Sequence, residues 1–320
     1  MSKEVNDMKK IVRPIVVATM LLGLVSQQVY AIDTTAINEK WGKPTVVYGG
    51  GLNDQQIKET SQLLGIKDEN TVTTTKVTGE DLVKYLGAGE ANTSVMISSV
   101  MVQKRNKGEG VKVHIATPKN ITLVTSEQYA NAAITAGVAD AEIEVAAVSK
   151  VTGESALTGV YKAFEANGVV LDGKRTAVAQ QELELTNQIA QEQAKEKGFD
   201  AAKLDQAMID IKKSLAEIKE KQGQVATKED VERIVNEALK KYGLDKVISP
   251  TQVNNIIQFA LSYQQTSAID SKQVLEQLNS LSNTVKGKIG QLVDQANREG
   301  WFDKIVTFFK EIFNAIFQSK

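Results

Sequence analysis

The pentapeptide "KVTGE" occurs twice in this chain, as Lys76–Glu80 and again as Lys150–Glu154. Related stretches precede the two copies, "LNDQQIKETSQLLGI" from residue 52 and "VTSEQYANAAITAGV" from residue 124. Both stretches begin with residues that cap helices and end with glycine before a β-branched residue, which is typical of a helix C-terminus. A β-rich run and a second helical pattern follow in each half. The repeat predicts two related helix–strand–helix units, each led by a strand, Thr45–Tyr48 in the first and Ile121–Val124 in the second.

Helix capping explains the pentapeptide better than a catalytic signature used twice. Thr78 and Thr152 are predicted to be N-caps, whose hydroxyls accept from an early backbone N–H of the next helix. The glutamate after each glycine falls in the first turn, where the helix dipole favours negative charge and where a second anion would be repelled. Thr125 and Ser249 are predicted to cap two further helices, the latter with proline at the first helical position.

A hairpin is predicted between the two units. The run Ser94–Gln103 is apolar on both faces, which indicates a strand buried on both sides. The loop "KRNKGEG" would turn the chain, and Val111–Thr117 would return as the second strand. The predicted fold is therefore an α/β domain, residues 32–173, built from two related strand-helix-strand-helix units with an inserted β-hairpin.

From Lys174 to the end, the composition predicts an all-α helical region, residues 174–320. One run of apolar residues is spaced alternately four and three: Leu204, Met208, Ile211, Leu215 and Ile218. This spacing fits a coiled coil between chains or a helical hairpin within the chain. We favour the hairpin because flanking helices are available.

The N-terminus has the pattern of an export signal, residues 1–31. Lys9, Lys10 and Arg13 precede the apolar run Ile15–Val25, which is shorter than the roughly 20 residues of a membrane-spanning helix. Val29-Tyr30-Ala31 offers small residues where a signal peptidase reads, so we expect cleavage after Ala31. The predicted location is secreted or on the extracellular face of the cell envelope.

Composition excludes several classes of chemistry. The chain has no cysteine, which excludes thiol catalysis, disulfides and thiolate metal sites. The formal net charge of −1 provides no basic surface of the kind that nucleic-acid partners require. His114 is the only histidine, and the sequence places no metal-site or triad neighbour beside it. We therefore predict no metal and no cofactor.

Two features carry the remaining hypotheses about a site. Gly49, Gly50 and Gly51 follow an apolar strand, and such a turn can let backbone N–H groups approach a ligand, although we favour the interpretation as a tight turn. Glu142 and Glu144 lie on one face of a strand, where a carboxylate pair can serve glycoside cleavage but exposed surface acids are commoner.

The C-terminal stretch 301–317 predicts an amphipathic aromatic helix. Its apolar face consists of Trp301, Phe302, Ile305, Phe308, Phe309, Ile312, Phe313 and Ile316. This face would dock into the helical region, lie on a membrane surface or bind a protein partner.

The combination of "VVYGGGLNDQQ", "KVTGEDL", "SSVMVQ" and "TGESALTGVYKAFE" resembles the exported proteins of Bacillota grouped as domain of unknown function 1002, the YpuA-like family. The resemblance spans Lys43 to about Gln265. It implies an exported protein and no reaction, cofactor or catalytic residues. We expect a non-enzymatic extracellular or cell-envelope binding protein. The alternative is an extracellular carboxylate- or Ser/Thr-based hydrolase with its site near Gly49–Gly51.

Overall fold

The computed structural model describes residues 41–87 and 89–298. The predicted signal peptide and the predicted aromatic helix 301–317 lie outside these residues. Within them, one five-stranded sheet has the strand order β2-β1-β3-β5-β4. Its strands are β1 Thr45–Gly49, β2 Thr73–Val77, β3 Ser99–Lys104, β4 Val111–Ile115 and β5 Ala141–Ala146. The helices are α1 Asp54–Leu63, α2 Gly79–Leu86, α3 Ser126–Ala136, α4 Ser155–Ala166, α5 Gly173–Gln193, α6 Ala201–Gln222, α7 Lys228–Lys241, α8 Pro250–Tyr263 and α9 Lys272–Arg298.

The fold class is confirmed as an α/β part followed by a helical region. β3 is buried along its length except at Lys104, which confirms the predicted strand covered on both faces from Ser99 onward. The first part of the predicted run Ser94–Gln103 is not a strand, because Thr93–Val95 forms a 3-10 turn in which Val95 is exposed. It is antiparallel to both neighbours, with Val100 opposite Val47 on one side and opposite Val145 on the other. Apolar side chains on both faces of this central strand therefore anchor the sheet.

The predicted hairpin is wrong. β3 and β4 do not pair, because β5 lies between them and pairs antiparallel with β3 and parallel with β4. The glycine-rich loop after β3 fits any short connection, and it does not specify which strand its successor joins. The alternation of β4 is satisfied equally well beside β5, where Val113 lies opposite Ile143.

The two repeated units share an order of elements but not a common arrangement. In the second unit the strand before α3 is β4, so the predicted leading strand Ile121–Val124 is wrong, and Ile121 forms only an isolated bridge with Val151. α1 covers the sheet face of Val46 and Tyr48, whereas α3 packs on the face of Val113 and Ile115. The connections β1–α1–β2 and β4–α3–β5 step in the same direction across the sheet, but their helices lie on opposite faces. The two crossovers therefore have opposite handedness.

Three of the four predicted cap residues occupy N-cap positions. The hydroxyl of Thr78 accepts from the backbone N–H of Asp81, and Thr125 and Ser249 make the equivalent bonds at the starts of α3 and α8. The prediction for Thr152 is wrong, because α4 has Glu154 at its N-cap position and no side-chain cap bond. Tertiary contacts hold this second copy differently: the Glu154 carboxylate accepts from Asn187 of α5 at 2.6 Å.

This difference predicts unequal effects of the same substitution in the two copies. Thr78→Ala should lower the free energy of unfolding by about 1 kcal/mol, because α2 loses its cap. Thr152→Ala, at an exposed residue without a cap bond, should change it by less than about 0.5 kcal/mol. Urea denaturation of the two variants measures this, and equal losses would show that both threonines act as caps.

One hydrophobic core extends from the sheet into the helical region. It includes Val100 of β3, Tyr161 of α4, Leu183 of α5 and Phe259 of α8. The apolar run of α6 belongs to this core, with Leu204, Met208, Ile211 and Leu215 all buried among helices of the same chain. This is the intrachain packing that we favoured over a coiled coil.

A buried acid lies where α3 and α6 meet. Asp205 is 1% exposed, and its Oδ2 accepts from the hydroxyl of Thr125 at 3.1 Å. Within the described residues, its Oδ1 has no hydrogen-bond partner. Burial raises the pKa of Asp205 well above its usual value, the nearby charge of Glu127 adds to this, and the hydrogen bond from Thr125 opposes it.

The raised pKa of Asp205 predicts a pH-dependent stability. Its contribution is fully present below the unfolded pKa of about 4 and is lost as the pH rises through the folded pKa. Asp205→Asn removes this titration and preserves an acceptor for Thr125. We therefore expect the variant to lose less stability than the wild type between pH 4 and pH 7 in urea denaturation.

Asp230→Asn is the matched control, because the pKa of Asp230 is shifted in the opposite direction from that of Asp205. Arg233 and Thr227 hold the pKa of the partly exposed Asp230 below its usual value, so its contribution to stability is present above the unfolded pKa and is lost as the pH falls. A pH profile of Asp205→Asn that parallels the wild type would contradict the assignment of Asp205 as a buried acid that retains its proton.

Candidate functional site

The turn Gly49–Gly51 uses its backbone donors inside the protein. Gly49 donates to the hydroxyl of Ser99 at 3.1 Å. Gly50 donates to the carbonyl of Val77 at 2.8 Å, and Gly51 donates to the carbonyl of Met96 at 3.0 Å. None of the three N–H groups in this described turn is therefore left for a phosphate or another anion.

Close backbone contacts account for the glycines of this turn. A Cβ at Gly49 would lie 2.2 Å from the carbonyl oxygen of Met96, and one at Gly51 would lie 2.5 Å from that of Ser94. No side chain fits at such distances without movement of the backbone. Ligand binding by these glycines stays a prediction, and the geometry supports the tight-turn interpretation.

His114 has a partner that the sequence did not reveal. Its Nδ1 lies 2.7 Å from Oε2 of Glu144, which is opposite it on β5. Glu144 is 2% exposed, so the expectation of exposed surface acids is wrong for this residue; Glu142 is partly buried and forms an ion pair with Arg105. The prediction that His114 lacks a triad-type neighbour is also wrong.

The His114–Glu144 pair has the geometry of an oriented imidazole. Burial raises the pKa of Glu144, and the hydrogen bond from His114 opposes this. An ionised Glu144 accepts from Nδ1–H, which leaves Nε2 as the basic nitrogen of a side chain that is 39% exposed. No group of three or more acidic or histidine side chains suited to a metal occurs in the described part of the chain.

A polar pocket lies between the loop that joins β3 to β4 and the first turns of α9. Its volume is about 360 Å³, within the range of small-molecule sites. Lys107, Gly108, Gly110 and Asp140 form the sheet side of the wall. The helix side consists of Lys272, Gln273, Glu276, Gln277 and Ser280.

Asp140 shapes the sheet side of this pocket. Its Oδ1 accepts from the backbone N–H groups of Gly108 and Gly110, both at 3.0 Å. The residue has φ = 47°, a left-handed conformation that aspartate tolerates better than most residues. Asp140 therefore closes the loop against the start of β5 and holds Lys107 at the pocket.

Two contacts on α9 and one at the pocket hold the helix side in place. Ser282 accepts from the amide of buried Gln206 at 2.9 Å, and Lys288 forms an ion pair with Glu127 at 2.6 Å. The amide oxygen of Gln277 lies 3.4 Å from the backbone nitrogen of Asp140. The helix wall of the pocket is therefore held by contacts with α6 and α3 as well as by its contact with the sheet wall.

No pattern in the sequence predicts this pocket. The loop "KRNKGEG" predicts only a turn, and Lys272 and Glu276 are typical of a solvated helix face. The one local signal is Asp140, an acid that follows Val138 and Ala139 immediately before a strand. It indicates a special turn but not what lies opposite.

The comparisons with known proteins place the chain in a family. The sequence profile described as "Protein of unknown function (DUF1002)" matches residues 48–281. The chain is 30% identical over 283 residues to "Uncharacterized protein YpuA" of Bacillus subtilis (strain 168), covering 86% of this chain and 89% of that protein. No solved structure matches. Among the described residues, no helix combines the length and apolar character needed to cross a membrane. The match to the profile and the long alignment with YpuA show that this chain belongs to the DUF1002 family, whose function is unknown.

Proposed function

We propose that this protein is an exported, non-enzymatic binding protein of the cell envelope, and that the polar pocket between the β3–β4 loop and α9 is its ligand site. The observation that carries the proposal is a set of charged side chains that line the pocket without ion-pair partners among the described residues: Lys107, Lys272 and Glu276. Charges left unpaired in a concave surface are available to a ligand.

The lining favours binding over catalysis. Among the residues that line the pocket, the described hydrogen bonds do not join the Ser280 hydroxyl to a base, so no activated nucleophile is assembled there. The alternative, a hydrolase near Gly49–Gly51, has less support because the N–H groups of that turn already donate within the chain. Among the residues that the structure describes, the His114–Glu144 pair is the arrangement that favours an enzymatic function, through proton transfer at Nε2.

Pocket filling tests the proposed function. Gln273→Trp places a large side chain in the pocket from an exposed helical position, and Asn279→Trp is the control on the same helix outside the pocket. The mature protein is incubated with the small-molecule fraction of its own cell envelope and examined by native mass spectrometry. We expect an added mass on the wild type and on the control but not on Gln273→Trp. The same added mass on all three proteins, or on none, would contradict the proposal.

Export and surface attachment are separate parts of the proposal. N-terminal sequencing of the protein from the cell exterior should begin at Ile32, and recovery only from the cytoplasm would contradict export. We further propose that residues 301–317 contact a membrane surface or a protein partner, because their apolar side chains would cover more than half the circumference of the predicted helix. Liposome flotation with and without residues 301–320 tests the membrane, and identical behaviour of the two proteins would exclude it.

A further inference from the structure

The pocket presents charges of both signs. We propose that its ligand is a small zwitterion that carries a carboxylate and an ammonium group, as free amino acids and short peptides do. This inference rests on the proposed function, because it names the ligand class of the same pocket. The cations would hold the carboxylate, and the acids would hold the ammonium group.

The helix side of the pocket provides a cation and an acid one turn apart. Lys272 and Glu276 have the spacing at which helical residues form ion pairs, as Lys228 and Glu232 do on α7. Within the described residues, Lys272 and Glu276 do not pair with each other or with any other group. Each is therefore free to meet an opposite charge of a ligand.

The sheet side repeats this combination. Lys107 and Asp140 both line this side of the pocket, and the carboxylate of Asp140 is held by the backbone N–H groups of Gly108 and Gly110. The four ionisable residues of the lining have formal charges that sum to zero. A ligand with a single sign of charge, such as phosphate, would meet both attraction and repulsion in this pocket, whereas a zwitterion finds a counter-charge for each end.

The uncharged lining residues suit the middle of such a ligand. Gln273 and Ser280 supply donors and acceptors that match a peptide amide. Ser280 also lies against Gly110, where a Cβ would come within 3.5 Å of its hydroxyl oxygen. The volume of about 360 Å³ admits a molecule of dipeptide size.

Isothermal titration calorimetry with one dipeptide in three forms tests the ligand class. The probes are alanyl-alanine, its N-acetyl form and its C-terminal amide, with inorganic phosphate and glucose as unrelated probes. We expect the unblocked dipeptide to bind, and each blocked form to bind about 10-fold or more weakly, because each loses a charge-assisted hydrogen bond. Equal affinities for all three forms, or no heat at millimolar dipeptide, would overturn the proposal.

Charge reversals assign each end of the probe to its side chain. Glu276→Lys should remove the preference for a free ammonium group and leave the effect of C-terminal amidation. Lys272→Glu should remove the preference for a free carboxylate and leave the effect of N-acetylation. Lys286 is exposed on α9 outside the pocket, so Lys286→Glu should change neither preference. If phosphate or glucose binds better than the dipeptide and Gln273→Trp abolishes that binding, the zwitterion class is wrong and the proposed function stands. If the dipeptide does not bind, and Gln273→Trp takes up the same mass from the envelope fraction as the wild type, the zwitterion class and the proposed function are both wrong.

Discussion

Lys212→Met should lower the free energy of unfolding by about 3–5 kcal/mol, the cost of breaking a buried ion pair from one side. Lys212 is fully buried, and its ammonium group lies 2.8 Å from Oε1 of Glu182, which is itself 1% exposed. The same group donates to the side chains of Asn131 and Thr135, at 2.6 and 2.9 Å. Removal of the ammonium group leaves a buried carboxylate without its counter-charge.

Burial lowers the pKa of Lys212, and the charge of Glu182 opposes this. The pair joins α5 and α6 to α3, so it ties the helical region to the α/β part of the fold. We expect Lys221→Met, at an exposed position on the same helix, to change stability by less than about 0.5 kcal/mol. In Lys212→Met/Glu182→Leu, no ion remains unpaired, and about half of the loss or more should be recovered. A loss below about 1 kcal/mol in the single variant would contradict the cost expected for breaking this buried ion pair.

Gly49→Ala should lower the free energy of unfolding by about 3 kcal/mol, which is at the upper end of the usual cost of overpacking. The added Cβ would overlap the carbonyl oxygen of Met96, and a backbone atom cannot move aside as the end of a flexible side chain can. Because Gly49 pairs with Val77 in the sheet, the strain would reach both β1 and the segment that covers the turn.

Gly173→Ala is the matched control for Gly49→Ala. A Cβ at Gly173 meets nothing within 4 Å, and the residue opens α5 without a positive φ. We expect this variant to be unchanged or up to about 1 kcal/mol more stable, since alanine restricts the unfolded chain. Urea denaturation of both variants decides the question. A Gly49→Ala variant with wild-type stability would show that the segment over the turn yields, and that the turn is open to a ligand after all.

Local features of this protein could be predicted from its sequence because their physical causes are local. Thr78, Thr125 and Ser249 cap helices through residues three positions further on, and those partners are visible in the sequence. Likewise, β3 reveals its position in the middle of the sheet by being apolar on both faces. Thr152 shares Lys-Val before it and Gly-Glu after it with Thr78, but the residue three positions on is Ser155 instead of Asp81. In this copy Glu154 is the N-cap of α4, and its carboxylate accepts from Asn187.

The sequence alone therefore determined the element types, most cap residues, the α/β character and the helical region, since backbone hydrogen bonds and side-chain periodicity act over a few residues. Only the tertiary structure decided that β5 lies between β3 and β4. The same is true of the pairs Glu144–His114 and Lys212–Glu182, and of the pocket that Lys107 and Lys272 both line. Each of these depends on residues far apart in the chain, and whether two such residues meet is set by the packing of the whole core.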